Sequence, residues 1–383
     1  MIVLMHENIK PNDPCVAAVC EKARLHHVVP EVHVEEGARF DVVEVYLKDT
    51  QDQRCHAVPD YPFRGLPGVK QVTRVSPARV SLRTNGDSEP RHVKIGNKRI
   101  GQGLPCIPVL GPCTIDKRVD NILRLLSDMG IKDARAGGRK PRSSVEGFRG
   151  FGVKGWEWFL SSAKEHGMES VWTEVIESED VETLLRIKDM VHFDGDLVLW
   201  VGARNTGNYR LLETLGKHRE VVAMIKNGLH EQDVDSWFTR AEFVVCGPMY
   251  WDEEGVLDEG RSMESGNDRL ILCVRGLQHS DPHNRLRFYP NYDWITEVHD
   301  RSWVPVCFDP SHIAGDDEKV FTVLGEALQR YPDTVLIEVH SNPPKALCDQ
   351  DQAIPIQDVP RILDMIEESN IRYTDSQPQG NAA

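Results

Sequence analysis

The chain is short of positive charge: 45 Lys and Arg stand against 60 Asp and Glu, a formal net charge of −15 over 383 residues. Nucleic-acid binders leave a basic footprint and anionic membranes attract basic segments, so neither is expected as a partner. No run approaches the ~18 apolar residues of a membrane span. The opening stretch MIVLMHENIKPND lacks a basic region and has only a short apolar run, so no signal peptide is expected. The nine cysteines are scattered and contain no C-x-x-C pair, which argues against a zinc ribbon and a disulfide framework. Together these absences describe a protein of the reducing cytoplasm.

What is present is enough for a large core, with 40% hydrophobic and 27% charged residues. The length exceeds one ordinary domain of ~100–200 residues. Residues 1–75 read as a small α+β unit: a strand at Ile2–Met5, a helix over Asp13–His26, strand-like runs near His33 and at Asp41–Leu47, and a last run at Val69–Val75. That order is close to a ferredoxin-like β-α-β-β-(α)-β pattern, its second helix poorly signalled because Pro59, Pro62 and Pro67 interrupt it. Residues 76–104 read as a polar connector with a hairpin at Val93–Ile100.

From residue 105 to 370 short apolar runs alternate with amphipathic stretches. Candidate strands are Ile107–Gly111, Asp133–Gly137, Ser170–Val175, Leu197–Gly202, Val221–Ile225, Leu270–Val274, Val304–Phe308 and Val335–Val339. Helix-like segments between and after them include Val119–Met129, Trp156–His166, Ser178–Met190, Asp317–Gln329 and Val359–Glu367. This alternation is the arithmetic of an α/β (β/α)8 TIM barrel, with a doubly wound open sheet as the alternative. Pro248–Glu264 reads as an acidic loop insertion, and residues 371–383 as a disordered tail.

A polar motif follows each strand. In a barrel all strand C-termini converge on one face, where active sites are built. Two chemical groups would meet there. Cys113, His312, Glu338 and Asp349 offer sulfur, nitrogen and carboxylate donors to a divalent transition metal such as Mn, Fe, Co or Zn. The plainer alternative makes Cys113 a small buried hydrophobe and His312 a helix-start residue. The second group, Arg135, Lys140, Arg142, Arg204, Lys226 and Arg275, would repel itself unless dianions lay between its members, which points to phosphorylated or multiply anionic substrates.

GPC at 111–113, KPRSS at 140–144, GARN at 202–205, KNG at 226–228, DPSH at 309–312 and EVHSNPPKALCD at 338–349 occur together and in one order. In these motifs the chain resembles a type I 3-deoxy-D-arabino-heptulosonate 7-phosphate (DAHP) synthase of the β subgroup, with an N-terminal ferredoxin-like regulatory domain. The resemblance implies condensation of phosphoenolpyruvate with D-erythrose 4-phosphate, releasing phosphate, at the head of the shikimate pathway. It implies Cys113, His312, Glu338 and Asp349 as metal ligands, and Arg204 and Arg275 on the phosphoenolpyruvate phosphate. Arg135, Lys140 and Lys226 would surround the carboxylate, and Arg142 and Ser143 would hold the aldose phosphate. Glu174 would position the attacking water. Lys140 would donate a proton to the former aldehyde, its pKa lowered by neighbouring cations. A homo-oligomer, a tetramer in the family, and feedback inhibition by an aromatic amino acid are implied as well.

The chain departs from the family at CVRG, where Val274 replaces the Glu of CERG, and at Asn284–Asp293, which follows no expected pattern. These departures would fall on loops near the aldose side or the subunit surface. The competing readings are a 3-deoxy-octulosonate 8-phosphate synthase-like or natural-product condensing enzyme, and a non-catalytic sensor that kept the barrel. Octulosonate enzymes carry Lys-Ala-Asn-Arg where this chain has Lys140-Pro141-Arg142, which favours the four-carbon aldose.

Overall fold

The structure, a computed structural model, describes residues 1–26, 28–35, 37, 41–48, 61–73, 91–141, 145–253, 255, 258, 266–281 and 283–376. The chain divides into two compact units, Met1–Arg83 with Pro248–Ser265, and Thr84–Gly247 with Gly266–Ala383. Among the described residues no helix is long and apolar enough to cross a membrane.

The first unit runs β1 (Ile2–Met5), α1 (Pro14–Leu25), β2 (Val29–Glu35), β3 (Val42–Lys48), α2 (Tyr61–Arg64) and β4 (Val69–Thr73). The four strands pair antiparallel in the order β2-β3-β1-β4, the ferredoxin-like arrangement. Alternation explains it: Val43, Val45 and Leu47 of β3 and Val3 and Met5 of β1 point to one face. Val16, Val19, Cys20 and Ala23, at helical spacing on α1, cover that face together with Phe63. The weakly signalled second helix is a single turn, with Pro62 near its start, where a missing N–H is tolerated.

The second unit opens with a hairpin, β5 (Val93–Ile95) and β6 (Lys98–Ile100). Eight parallel strands follow: β7 (Ile107–Gly111), β8 (Asp133–Arg135), β9 (Ser170–Val175), β10 (Asp196–Val201), β11 (Val222–Lys226), β12 (Leu270–Val274), β13 (Val306–Phe308) and β14 (Thr334–His340). β14 pairs with both β7 and β13, so the sheet closes into a TIM barrel and the doubly wound alternative falls. Runs such as LVLW and LILCV have no polar face because interior side chains and outer helices bury both sides. The helices α3 (Val119–Asp128), α4 (Val153–Glu165), α5 (Ser178–Val191), α6 (Tyr209–Lys217), α7 (Val234–Val245), α8 (Asp293–Arg301), α9 (Pro310–Ala314), α10 (Asp317–Leu328) and α11 (Val359–Ser376) lie between and after the strands.

Two boundaries differ from the sequence reading. The hairpin belongs to the barrel rather than to a connector: Val93, Ile95 and Ile100 are buried against Val109, Trp172 and Trp200 in one core. Its polar flank is tied down as well, Lys98 Nζ lying 2.5 Å from Asp133 and Gly96 N–H donating to Asp196 at 2.6 Å. The final helix continues to Ser376, past Glu367, so residues 371–376 are helical rather than a disordered tail; Tyr373 anchors them by accepting from Gly103 N–H at 3.1 Å. Pro248–Ser265 groups with the first unit, which a reading of it as a barrel-loop insertion did not foresee.

Candidate active site

The C-terminal ends of the barrel strands meet around a cavity of about 190 Å³. Arg135 ends β8, Glu174 lies on β9, Trp200 on β10, Arg204 just after β10, Lys226 ends β11 and Arg275 follows β12. Lys140, His312 and Asp349 complete its wall from the intervening loops and α9. Tight backbone approach makes this possible. A Cβ on Gly111 would stand 2.0 Å from the Arg135 carbonyl oxygen, and one on Gly202 would stand 2.0 Å from Glu174 Oε1. Glycine at these positions lets β7 lie beside β8 and keeps the carboxylate free in the cavity.

The cations are not a bare positive cluster, contrary to the expectation of mutual repulsion relieved only by substrate. Arg135 Nη1 donates to Glu338 Oε1 at 2.7 Å, and Lys226 Nζ donates to Asp309 Oδ2 at 2.5 Å, all four side chains being buried. Trp200 lies beneath both cations, its ring centroid 5.2 Å from each. Arg275 stacks over Phe288 at 4.0 Å, while its backbone N–H donates to the Asn227 side chain at 2.8 Å. Arg135 Nε and Nη2 and Arg275 Nη1 are buried without a hydrogen-bond partner, donors of the kind an anionic ligand would engage.

Burial pushes the Glu174 carboxyl above the ordinary carboxylate range, against the pull of Lys140, Lys226, Arg135 and Arg204. A raised carboxyl pKa in a cavity is the property a general base requires. Lys140 corrects the sequence reading. Burial works against its charge, but the sulfurs of Cys113 and Cys348 and the carboxylates of Glu174 and Glu338 outweigh that cost, so its pKa is raised rather than lowered. Counting neighbouring cations missed the sulfurs and carboxylates packed around the ammonium.

Of the four expected metal ligands, the structure groups Cys113 and Asp349, together with Cys348, into one cluster of transition-metal donors, and His312 and Glu338 fall outside that group. Cys113 Sγ, Cys348 Sγ and an Asp349 oxygen all lie within 4.8 Å of one another, with Cys113 Sγ donating to Asp349 Oδ2 at 3.0 Å. His312 Nε2 faces Glu338 Oε1 across 3.8 Å. His312 Nδ1 lies 2.7 Å from Asp309 Oδ2, which leaves Nε2 as the free ligand atom. Cys113 is buried but beside a carboxylate, unlike a plain core hydrophobe, and burial pushes its thiol well up. His312 does sit in the first turn of α9, whose N-cap is Asp309, so its helix-start position and its donor position coincide. Soft sulfur, imidazole and carboxylate fit a Mn, Fe, Co or Zn ion.

Of the residues singled out from sequence, Arg135, Lys140, Glu174, Arg204, Lys226, Arg275, His312 and Asp349 line one cavity, and Cys113 and Glu338 contact its lining residues. Arg142 and Ser143 lie outside the described residues. Four contributors escaped the sequence reading: Asp309, Cys348, Arg287 and Gln352. Asp309 and Cys348 stood inside the DPSH and ALCD motifs, so the signal was there without a role attached. Arg287 stood in the unmatched segment after β12.

A model of the protein family described as the DAHP synthetase I family matches residues 83–374. The phospho-2-dehydro-3-deoxyheptonate aldolase of Thermotoga maritima is 27% identical over 327 residues, covering 85% of this chain and 86% of that protein. The 2-dehydro-3-deoxyphosphooctonate aldolase of Geobacter metallireducens is 26% identical over 298 residues, covering 71% of this chain and 95% of its own. The crystal structure of the Thermotoga maritima DAHP synthase superposes with a TM-score of 0.70 at 23% identity, covering 98% of this chain and 97% of that one. At that identity the likeness is one of fold.

Proposed function

Because the chain belongs to the DAHP synthetase I family and is an enzyme of that kind, we propose that it condenses phosphoenolpyruvate with D-erythrose 4-phosphate and water to give DAHP and inorganic phosphate, the first step of the shikimate pathway. The observation that carries the reading is the cavity itself: Arg135, Lys140, Arg204, Lys226 and Arg275 converge on it together with Glu174. Two mutually repelling anions need such a frame to meet, and holding them in register supplies most of the rate.

The roles are those that the family resemblance implies for these positions. Arg204 and Arg275 hold the phosphate of phosphoenolpyruvate, and Arg135, Lys140 and Lys226 its carboxylate. C3 attacks the aldehyde carbon, the new C–C bond forms, and positive character develops at C2. Glu174 takes a proton from the water that adds to C2; the new C2 hydroxyl then becomes the ketone, giving its proton to the departing phosphate as the bond from C2 to the phosphate oxygen breaks. Lys140, kept protonated by its sulfur and carboxylate neighbours, gives its proton to the former aldehyde oxygen. Arg142 and Ser143 take the aldose phosphate. Cys113, His312, Glu338 and Asp349 would hold a divalent Mn, Fe, Co or Zn ion, which would supply Lewis-acid polarisation of the aldehyde.

A second reading, condensation with a pentose phosphate as in the octulosonate aldolases, is supported by the 26% identity to one of them. Lys140-Pro141-Arg142 in place of Lys-Ala-Asn-Arg favours the tetrose. The test is direct: protein stripped with a chelator, reloaded with Mn²⁺ and given both substrates should release phosphate and form a seven-carbon product. No phosphate release with either aldose overturns the proposal.

The ferredoxin-like unit supports a regulatory role, feedback inhibition by an aromatic amino acid within a cytoplasmic homo-oligomer, a tetramer by the family resemblance. Inhibition of the full chain by tyrosine, phenylalanine or tryptophan tests it; indifference to all three removes it.

A further inference from the structure

We infer that Gln352 is a positioning residue for the donor set, its amide fixing the rotation of the Glu338 carboxylate and tying it to Arg287 at the cavity wall. This rests on the reading that Cys113, His312, Glu338 and Asp349 hold a divalent metal.

The terminal torsion of a glutamate is soft, so a carboxylate held at one oxygen by a single donor can rotate. Glu338 is held at both. Oε1 accepts from Arg135 Nη1 at 2.7 Å and faces His312 Nε2, while Oε2 accepts from Gln352 Nε2 at 2.7 Å. The amide is itself oriented, because Gln352 Oε1 accepts from Arg287 Nη1 at 2.8 Å. A flipped amide would set its oxygen against the carboxylate and its NH₂ against the guanidinium, both repulsive. The bonds run Arg287 to Gln352 to Glu338, and Arg135 closes the line from the other side.

Gln352 and Glu338 are 1% and 0% exposed, so each bond acts where water does not compete. Arg287 is anchored in turn: its guanidinium lies 5.6 Å over the Phe288 ring that also carries Arg275, and 3.5 Å from Asp349 Oδ1. One guanidinium thus touches a ligand carboxylate directly and governs another through the amide. Neutral Gln is the residue that can do this, since it accepts from the cation and donates to the anion at once. Leu would fill the space and make neither bond.

The test uses the full chain freed of metal, titrated with Mn²⁺ alone by calorimetry, alongside steady-state kinetics. Losing a partner that orients a metal ligand typically weakens metal binding about 10–100-fold. Gln352→Leu should raise the Mn²⁺ Kd into that range and lower kcat, with the KM for phosphoenolpyruvate unchanged. Arg287→Met should weaken Mn²⁺ binding in the same direction, and Arg287→Lys, which keeps a donor, should restore part of it. An unchanged Mn²⁺ Kd in Gln352→Leu overturns the inference. If that variant fails to fold, an unchanged Kd in Arg287→Met overturns it instead. A parent chain that binds no Mn²⁺ at all sinks the metal reading itself, a result distinct from either.

Discussion

Lys226 Nζ stands 2.5 Å from Asp309 Oδ2 at the mouth of the barrel, with both side chains buried. The same oxygen lies 2.7 Å from His312 Nδ1, so one carboxylate faces both a cation and an imidazole that line the cavity. Although burial works against its charge, His312 and Lys226 hold the Asp309 carboxyl well below the ordinary range. Asp309→Asn would leave Lys226 buried and unpaired, a change that costs about 3–5 kcal/mol. A depressed carboxyl contributes stability above its unfolded pKa of about 3.9 and loses it as pH falls through the folded value. Urea denaturation should therefore show the largest gap between parent and variant at neutral pH and a narrowing gap in acid; equal stability at neutral pH would contradict the pairing.

Glu174 titrates in the opposite sense. Its raised pKa means that the basic form is lost, as pH falls, earlier than for an ordinary carboxylate. The acid limb of kcat should lie above the usual carboxylate range, and Glu174→Gln should remove that limb while lowering kcat about 10²–10⁴-fold. A limb that persists in the variant would assign it to another group.

Gly202→Ala is the most economical probe of the cavity wall. The added methyl would fall 2.0 Å from Glu174 Oε1, so the carboxylate must move. Misplacing a reacting group by about 1 Å costs on the order of 10²-fold, which sets the expected fall in kcat. Unchanged kcat would show that Glu174 need not hold this position. Circular dichroism checks that the barrel is intact.

The barrel was legible because its strands carry apolar, β-branched runs at regular spacing, and the site because each run ends in a polar motif. What stayed hidden depends on three-dimensional neighbours. The hairpin at 93–100 could be recognised, yet its burial under Trp172 and Trp200 could not, since three short apolar residues do not announce a partner. Lys140 was misjudged because cations lie near it in sequence whereas Glu174, Glu338, Cys113 and Cys348 reach it only through folding. Gln352 is an uncharged residue in an unremarked turn, and nothing in its sequence neighbourhood signals that its amide spans a guanidinium and a buried carboxylate.

That hairpin gives a control outside the cavity lining. Ile95 is 1% exposed within the barrel core, and truncating a buried Ile to Ala costs about 2–5 kcal/mol. Ile95→Ala should lower the melting temperature while leaving kcat and both KM values near those of the parent. A large loss of kcat in folded Ile95→Ala would mean that the hairpin shapes the cavity, through the core it shares with Trp200.

The central claim concerns which aldose the cavity takes, and kcat/KM measured by phosphate release answers it most directly. Erythrose 4-phosphate and arabinose 5-phosphate would be compared at saturating phosphoenolpyruvate with the Mn²⁺-loaded full chain. Higher kcat/KM with the tetrose is the expected result. A preference for the pentose would contradict the account and move the chain to octulosonate chemistry.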